Sequence, residues 1–143
     1  MKQLGKAIAI ASKAFENKVD KGNQPYILHC LHVMDRVKKL GEDAMIAAVL
    51  HDLVEDTEWT TTELSEQGFS HQIISVIGLL THKPDQEYMA YIEELSISPT
   101  ARAIKMADLR HNSDIHRMKG LRDKDFDRLK KYHEAYAYLR DIK

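Results

Sequence analysis

The segment from His51 to Asp56 places one imidazole and three carboxylates within six residues. On a helix, His51 and Glu55 are four positions apart, as are Asp52 and Asp56, so these side chains lie on adjoining faces. The apolar run 44–50 leads directly into the segment, which predicts that the acids lie at the end of a core helix. Carboxylates this close repel one another unless a proton or a cation neutralises them. A divalent metal site is one interpretation, and a helix end with surface acids is the plainer one.

Two other segments offer polar side chains of the same kinds. His29 follows Pro25-Tyr26 at the start of the second predicted helix. Asp108 follows apolar neighbours on a later predicted helix, and Asn112 comes one turn after it. Each position is weak evidence alone, so its meaning depends on the fold that surrounds it.

Apolar residues that recur every three or four positions predict the helices that must carry these side chains. The predicted helices cover residues 4–15, 25–40 with a stop at Gly41, 43–56 with Asp43 as its cap, a short segment near Thr61, 73–80, 87–95, 99–112 and 125–139. The last helix has its apolar face around Phe126, Leu129, Tyr132 and Tyr136. No segment alternates apolar and polar residues as a strand would. The sequence therefore predicts an all-α helical bundle, with one domain over residues 1–143.

Composition limits the function classes. The chain has 21 basic and 22 acidic residues and a formal net charge of −1, so no overall field attracts nucleic acid, and no nucleic-acid partner is expected. No apolar run reaches the roughly 18 residues of a membrane span, and no membrane role is expected. The single cysteine, Cys30, and an N-terminus without a leader-like segment predict a cytoplasmic protein. The sequence leaves the oligomeric state open, and a homo-oligomer is compatible with it.

Three motifs carry a resemblance to a known family. Their order is Pro-Tyr-x-x-His, His-Asp-x-x-Glu-Asp-Thr and Lys-x-Ala-Asp-x-x-x-Asn. This order resembles the HD-domain metal-dependent phosphohydrolases, and among them the small alarmone hydrolases of the Mesh type and the hydrolase domains of the alarmone synthetase-hydrolases. The similarity covers residues 7–112 and extends more weakly to residue 139. Three motifs in one order are specific at the level of the superfamily.

The resemblance implies a metal site and a reaction. It assigns four ligands to a divalent ion, usually manganese: His29, His51, Asp52 and Asp108. Imidazole and carboxylate donors suit manganese or iron better than a thiolate zinc site does, although ligand type alone leaves zinc open. The ion would activate water and neutralise charge that builds on phosphorus.

The resemblance also implies roles for residues beside the metal. Glu55 and Asp56 match a catalytic acid pair, whose alternative interpretation is two solvated acids at a helix end. Lys21, Tyr26 and Asn112 match positions that contact the nucleotide. Tyr26 could equally be a core aromatic residue, and Lys21 an ordinary loop lysine. The remaining histidines are expected to be surface or structural residues: His32, His71, His82, His111, His116 and His133.

The chain departs from the alarmone-hydrolase pattern at several positions. Asp20 stands where those enzymes usually have arginine, and Ser113-Asp114-Ile115 stands where they have a basic residue followed by threonine. Cys30 replaces a common proline, and Phe15 a common histidine. None of these changes removes an expected metal ligand, but those at 20 and 113–115 affect expected substrate contacts.

The leading functional hypothesis is therefore a nucleotide phosphohydrolase, with guanosine 3′,5′-bis(diphosphate) 3′-pyrophosphohydrolase as the specific candidate. One alternative in the same class is a hydrolase of another nucleotide or phosphorylated metabolite, such as a reduced dinucleotide phosphate. An alternative from another class is a non-catalytic nucleotide-binding regulator or an antitoxin-like partner. The presence of both Glu55 and Asp56 argues against a loss of catalysis.

Overall fold

The computed structural model describes residues 2–143, which form nine α-helices and two short 3₁₀ helices. The α-helices are α1 (Leu4–Ala14), α2 (Ile27–Arg36), α3 (Glu42–Val49), α4 (Leu53–Asp56), α5 (Thr61–Glu66), α6 (His71–Leu80), α7 (Tyr88–Leu95), α8 (Pro99–Asn112) and α9 (Asp123–Arg140), and the 3₁₀ helices are Lys38–Leu40 and Ile115–Arg117. Within residues 2–143 no strand forms, and the one isolated bridge joins Val19 to Pro25. The prediction of an all-α fold is confirmed.

Helix α3 runs through the centre of the bundle. It packs against α1, α2, α6 and α8, and residues on all of its sides are buried, as its apolar sequence predicts. The surrounding helices contribute one apolar face each, with Ala7 and Ala11 on α1 and Ile73 and Ile77 on α6 fully buried or nearly so. The polar residues of interest lie on α2, on α8 and in the turn after α3, all of them around this core.

Local capping explains where several helices begin. Ser70 and Ser98 accept backbone N–H bonds from Ile73 and Ala101, and Pro99 occupies the first position of α8. Several predicted starts differ from the observed ones by one or two residues. Helix α5, predicted only as a short segment near Thr61, begins at Thr61 with Thr60 as its cap. Helix α3 begins after Gly41, whose φ of 99° ends the preceding turn, so that Asp43 lies within the first turn instead of capping it.

The predicted continuous helix 43–56 is interrupted. Helix α3 ends at Val49, Leu50 and Asp52 have ψ values near 0°, and α4 begins only at Leu53. The second helix also ends earlier than predicted, at Arg36, before the 3₁₀ turn. The break at 50–52 places His51 and Asp52 in a turn between α3 and α4, where His51 is buried and Asp52 is half-buried.

The apolar face of α9 differs from the prediction at its first turn. Phe126 is 54% exposed, whereas Asp125 is buried. The carboxylate of Asp125 accepts the backbone N–H of Arg122 and pairs with Arg128, which fixes Asp125 on the inner side. Phe126 is therefore left on the outer side of the helix. Among residues 2–143, no helix combines the length and the apolar character that crossing a membrane requires.

Candidate active site

Four side chains from three parts of the chain meet at one point inside the bundle. His29 lies on α2, His51 and Asp52 lie in the turn between α3 and α4, and Asp108 lies on α8. One donor atom of each lies within 4.8 Å of all the others. His29 and His51 are each 1% exposed and Asp108 is 4% exposed. The fold therefore brings together all four residues that the sequence singles out as metal ligands.

The donor atoms face one another. His29 Nε2 lies 2.9 Å and His51 Nε2 3.2 Å from Asp108 Oδ1. Asp52 Oδ2 is 3.0 Å from His51 Nε2 and 4.0 Å from His29 Nε2. Each of the two imidazoles thus directs its Nε2 towards the carboxylates of Asp52 and Asp108, which come from different parts of the chain.

The break after α3 sets the orientation of His51. Its Nδ1 lies 2.6 Å from the carbonyl oxygen of Ala48, an acceptor that requires the proton on Nδ1. The lone pair of Nε2 is then free for a cation. A backbone partner of this kind fixes both the tautomer and the ring direction of a metal-binding histidine.

The electrostatics of the cluster favour a positive charge at its centre. Burial opposes an imidazolium at His51, but Asp52 and Asp108 outweigh it and hold the pKa of His51 well above its usual value. Burial also opposes ionisation of Asp108, yet Lys105, His29 and His51 hold its pKa well below the usual range. Two carboxylates that stabilise an imidazolium would stabilise a divalent cation in the same way. The donor set and its charge therefore fit a divalent ion of the manganese or iron type.

Lys105 belongs to this site although the sequence-based assignment gave it no role. Its side chain is 13% exposed, and its Nζ lies 2.9 Å from Asp108 Oδ2. Despite burial, Asp108 and the neighbouring Tyr91 and Tyr88 hold its pKa well above the usual value. The spacing of three residues to Asp108 on one helix is the signal that could have identified it.

Asn112 and Tyr26 contact the carboxylates of Asp108 and Asp52. Asn112 Nδ2 donates to Asp108 Oδ1 at 3.0 Å, and the Tyr26 hydroxyl donates to Asp52 Oδ2. Burial and then the charge of Asp52 raise the pKa of Tyr26. Both residues therefore orient a carboxylate and also line the space where a substrate would lie.

An inner cavity of about 320 Å³ opens onto the cluster. Its walls include Asp52, Asp108, Glu55, His82 and Lys105. Glu55 accepts the backbone N–H of His82 at 2.6 Å. Desolvation raises the pKa of Glu55, which this hydrogen bond only partly offsets. His82, expected to be a surface or structural residue, thus lines the site, and its position in a loop gave no periodic signal.

The two acids of the expected catalytic pair have different surroundings. Asp56 also lines the inner cavity, but its Oδ2 pairs with Lys18 Nζ at 3.0 Å. The Lys18 ammonium lies over the Tyr26 ring at 4.1 Å from its centroid. Of the two carboxylates, Glu55 is the one with no cationic partner among the described ion pairs, and it therefore remains available to accept a proton.

A second cavity of about 350 Å³ adjoins the first and shares Tyr26, Asn112 and Tyr132 with it. Four basic residues line this outer cavity: Lys18, Lys21, Arg117 and Arg128. Desolvation and then Arg128 lower the pKa of Lys21. Lys21 thus lies one cavity away from the four donors, where it could contact the distal part of a bound molecule.

Asp20, which replaces the arginine of the alarmone-hydrolase pattern, has its carboxylate fully engaged by the protein. Its Oδ1 accepts the N–H groups of Gly22 and Gln24 at 2.9 Å each. Its Oδ2 pairs with Arg117 at 2.9 Å, and Arg117 also donates to the carbonyl oxygen of His111 at 2.8 Å. Asp20 therefore orders the wall of the outer cavity and holds the Arg117 guanidinium there, although Arg117 lies 97 positions away in the sequence.

Gly22 is expected to tolerate no side chain. A Cβ at this position would overlap the carbonyl oxygen of Arg117, and backbone atoms cannot move aside as a flexible side chain can. We expect Gly22→Ala to destabilise the fold by about 1–3 kcal/mol, the usual cost of overpacking, and to weaken ligand binding in the outer cavity. Chemical denaturation would measure the first effect. Gly78→Ala, at a helical position with no atom within 4 Å of the added Cβ, is the control.

The other histidines divide into two groups. His71, His116 and His133 are exposed, as expected. His111 contacts His29, with 2.7 Å between their Nδ1 atoms. Burial and then Arg117 lower the pKa of His111 to about 4, so its ring is neutral at pH 7. His111 therefore adjoins the four-donor cluster of His29, His51, Asp52 and Asp108.

Comparison with known proteins identifies a family and several relatives of the chain. Residues 7–112 match the family model described as HD domain. The guanosine-3′,5′-bis(diphosphate) 3′-pyrophosphohydrolase of Aquifex aeolicus is 29% identical over 74% of this chain and 16% of its own length. The enzyme of that name from Haemophilus influenzae is 32% identical over 72% of this chain and 17% of its own length. A probable GTP pyrophosphokinase of Mycobacterium leprae is 30% identical over 75% of this chain and 15% of its own length.

The chain thus matches only a small part of these long relatives. A solved structure matches it nearly end to end, covering 99% of this chain and 87% of the other with a TM-score of 0.80 and 22% identity. That protein is described as a metazoan ortholog of SpoT that hydrolyzes ppGpp. Its likeness supports the helical fold. Because the family model covers residues 7–112, which hold His29, His51, Asp52 and Asp108, the chain belongs to the HD domain family.

Proposed function

We propose that this chain is a cytoplasmic, metal-dependent phosphohydrolase with one HD-type domain over residues 1–143. Its proposed reaction is the hydrolysis of guanosine 3′,5′-bis(diphosphate) to GDP and pyrophosphate. One observation carries the proposal: the donors of His29, His51, Asp52 and Asp108 converge beside a cavity whose wall holds Glu55. The names of the relatives from Aquifex and Haemophilus support the choice of substrate.

The four donors would hold a divalent ion, for which we propose Mn²⁺. When bound, the ion would supply a positive charge that polarises the phosphoryl group and makes water acidic enough to react at neutral pH. Asn112 and Lys105 keep Asp108 in place, and Tyr26 does the same for Asp52. The chain's own contribution is thus a set of carboxylates that are oriented and ionised before a substrate arrives.

Glu55 is proposed as the general base. Its carboxylate lines the inner cavity, its raised pKa makes it a stronger base than an ordinary glutamate, and the N–H of His82 fixes its position. Asp56 is proposed as its catalytic partner in the pair, acting from a position that Lys18 fixes. Together they would orient the attacking water and take up its proton.

The two cavities suggest how a nucleotide would lie. The phosphate to be cleaved would enter the inner cavity, and the rest of the nucleotide would occupy the outer cavity past Tyr26 and Asn112. Lys21 and Arg128 would then face the distal phosphates or the sugar, since charge-assisted bonds to phosphate oxygens are stronger than neutral ones.

The proposal is tested by incubating metal-stripped protein with guanosine 3′,5′-bis(diphosphate), with and without Mn²⁺, and separating the products by ion-exchange chromatography. We expect GDP and pyrophosphate in equal amounts from the wild type with Mn²⁺. We expect neither from the metal-free protein nor from Asp52→Asn, which loses a ligand carboxylate. Binding of Mn²⁺ without product would contradict the proposed substrate. A lack of Mn²⁺ binding would contradict the proposed metal site.

The engagement of Asp20 with Arg117 favours a second candidate within the same reaction class. The outer cavity differs there from the alarmone-hydrolase pattern, because an acid replaces the usual arginine and a guanidinium comes from a distant position. A cavity rebuilt in this way would suit another nucleotide or a reduced dinucleotide phosphate. Assays of GTP and of a reduced dinucleotide phosphate under the same conditions distinguish the candidates. A non-catalytic regulator would bind one of these ligands and release no product.

A further inference from the structure

His29 has an unusual partner for its second ring nitrogen. Its Nε2 faces the carboxylates, and its Nδ1 lies 2.7 Å from Nδ1 of His111. The two ring planes are within 10° of parallel, with centroids 5.0 Å apart. Ring faces pack no closer than roughly 3.5 Å, so nitrogens 2.7 Å apart require the rings to meet edge to edge. This arrangement directs an N–H of one imidazole at the lone pair of the other.

Only one proton can lie between the two nitrogens at this distance. If Nε2 of His29 gives its lone pair to a cation, the proton of the neutral ring must be on Nδ1. His111 then has to accept that proton in a hydrogen bond through its own Nδ1. The role matches that of the Ala48 carbonyl oxygen for His51, which also lies within hydrogen-bond distance of Nδ1, at 2.6 Å.

His111 is itself held in place by two contacts. The ring of His32 stacks on its face, with centroids 3.8 Å apart and planes 14° from parallel. Arg117 donates to the backbone carbonyl oxygen of His111 at 2.8 Å and is anchored by Asp20. The acceptor for His29 is therefore fixed by contacts from α2 and from the outer cavity wall.

We propose that His111 is a positioning residue that holds His29 in the tautomer and orientation that present Nε2 to the metal. This assignment rests on the proposed metal site. Removing the acceptor frees the His29 ring to rotate or to change tautomer, and losing such an outer partner typically lowers metal affinity about 10- to 100-fold. His111 does not line the inner cavity that holds Glu55, and its positioning role requires no contact with the substrate.

The first test is a Mn²⁺ titration without substrate, in which electron paramagnetic resonance counts the free ion. We expect His111→Ala to weaken Mn²⁺ binding about 10- to 100-fold. We expect His111→Asn to recover most of the affinity, because its side-chain oxygen can accept from His29 at nearly the same place. His116→Ala, at a side chain that is 91% exposed, should bind as the wild type does.

Two outcomes of the titration would overturn the role of His111 while leaving the metal site in place. One is wild-type affinity in His111→Ala, and the other is an equal loss in the Ala and Asn variants, which would show that the acceptor atom is not the cause. A wild type that binds no Mn²⁺ would overturn the metal site and this assignment together, and so is distinguishable from failure of His111 alone.

A second measurement needs no variant. Long-range ¹⁵N–¹H spectra of the wild-type protein loaded with diamagnetic Zn²⁺ report the tautomer of each histidine. We expect His29 to carry its proton on Nδ1, with exchange slowed by the bond to His111. A His29 ring that lacks this proton in the metal-loaded protein would overturn the proposal even if His111→Ala fails to fold.

Discussion

Asp108→Asn is expected to abolish Mn²⁺ binding and to lower hydrolysis by about 10³-fold or more. Asp108 is the residue on which the site converges, because its Oδ1 lies within 3.2 Å of both histidine Nε2 atoms. An amide in its place removes one of the two negative charges that face the cation. A catalytic divalent ion typically contributes several kcal/mol, and each 1.36 kcal/mol is tenfold in rate.

The same substitution should also destabilise the fold. Lys105 would keep its charge within the protein but lose the carboxylate that lies 2.9 Å away. Breaking a buried ion pair by removing one partner costs about 3–5 kcal/mol, and the 13% exposure of Lys105 places the expected loss near the lower figure. Chemical denaturation of metal-free wild type and Asp108→Asn measures this loss.

A double variant separates the two effects. Lys105→Met removes the uncompensated charge, so Asp108→Asn/Lys105→Met should recover most of the lost stability without recovering Mn²⁺ binding. A double variant that is as unstable as Asp108→Asn would show that Lys105 is not the cause. Retained Mn²⁺ affinity in either variant would contradict the role of Asp108 as a ligand.

The site shows what a sequence can and cannot specify. The four donors could be identified because each lies at a fixed place in a motif. The interruption at 50–52 could not, since the apolar pattern of 44–50 continues without a break into His51. Helical periodicity indicates which face of a helix is buried. It cannot reveal a turn that interrupts the helix when the apolar pattern continues through that turn.

The remaining differences concern contacts between distant parts of the chain. Asp20 and Arg117 are 97 positions apart, and their ion pair depends on how the loop before α2 meets the loop after α8. His29 and His111 are 82 positions apart in the sequence. The backbone N–H of His82 donates to Glu55, which is 27 positions away. Residue types alone assign such side chains to the surface. Tertiary packing decides which of these polar groups pair, because it brings together residues that lie far apart in the sequence.

Glu55→Gln is the second substitution with a large expected effect. It should lower kcat about 10²- to 10⁴-fold, the usual contribution of a general base, while Mn²⁺ affinity stays within a few-fold of the wild type. Glu55 is absent from the four-donor cluster, which is why binding and turnover should separate. Asp56→Asn is the matched comparison, and we expect a smaller loss because its carboxylate is already paired with Lys18.

The pH dependence gives the more specific test of Glu55. A general base works as the carboxylate, so activity is lost as the pH falls through its pKa. Desolvation raises the pKa of Glu55, and the acidic limb of kcat/KM at saturating Mn²⁺ should therefore lie at higher pH than an ordinary glutamate would place it. In Glu55→Gln this limb should disappear from the residual activity, whereas Asp56→Asn should keep it. Glu55 is the expected base because no other carboxylate of the described cavity wall is both outside the four-donor cluster and free of a cationic partner. An unchanged limb in Glu55→Gln would assign the base to another group, and a kcat reduced less than tenfold would remove Glu55 from the mechanism.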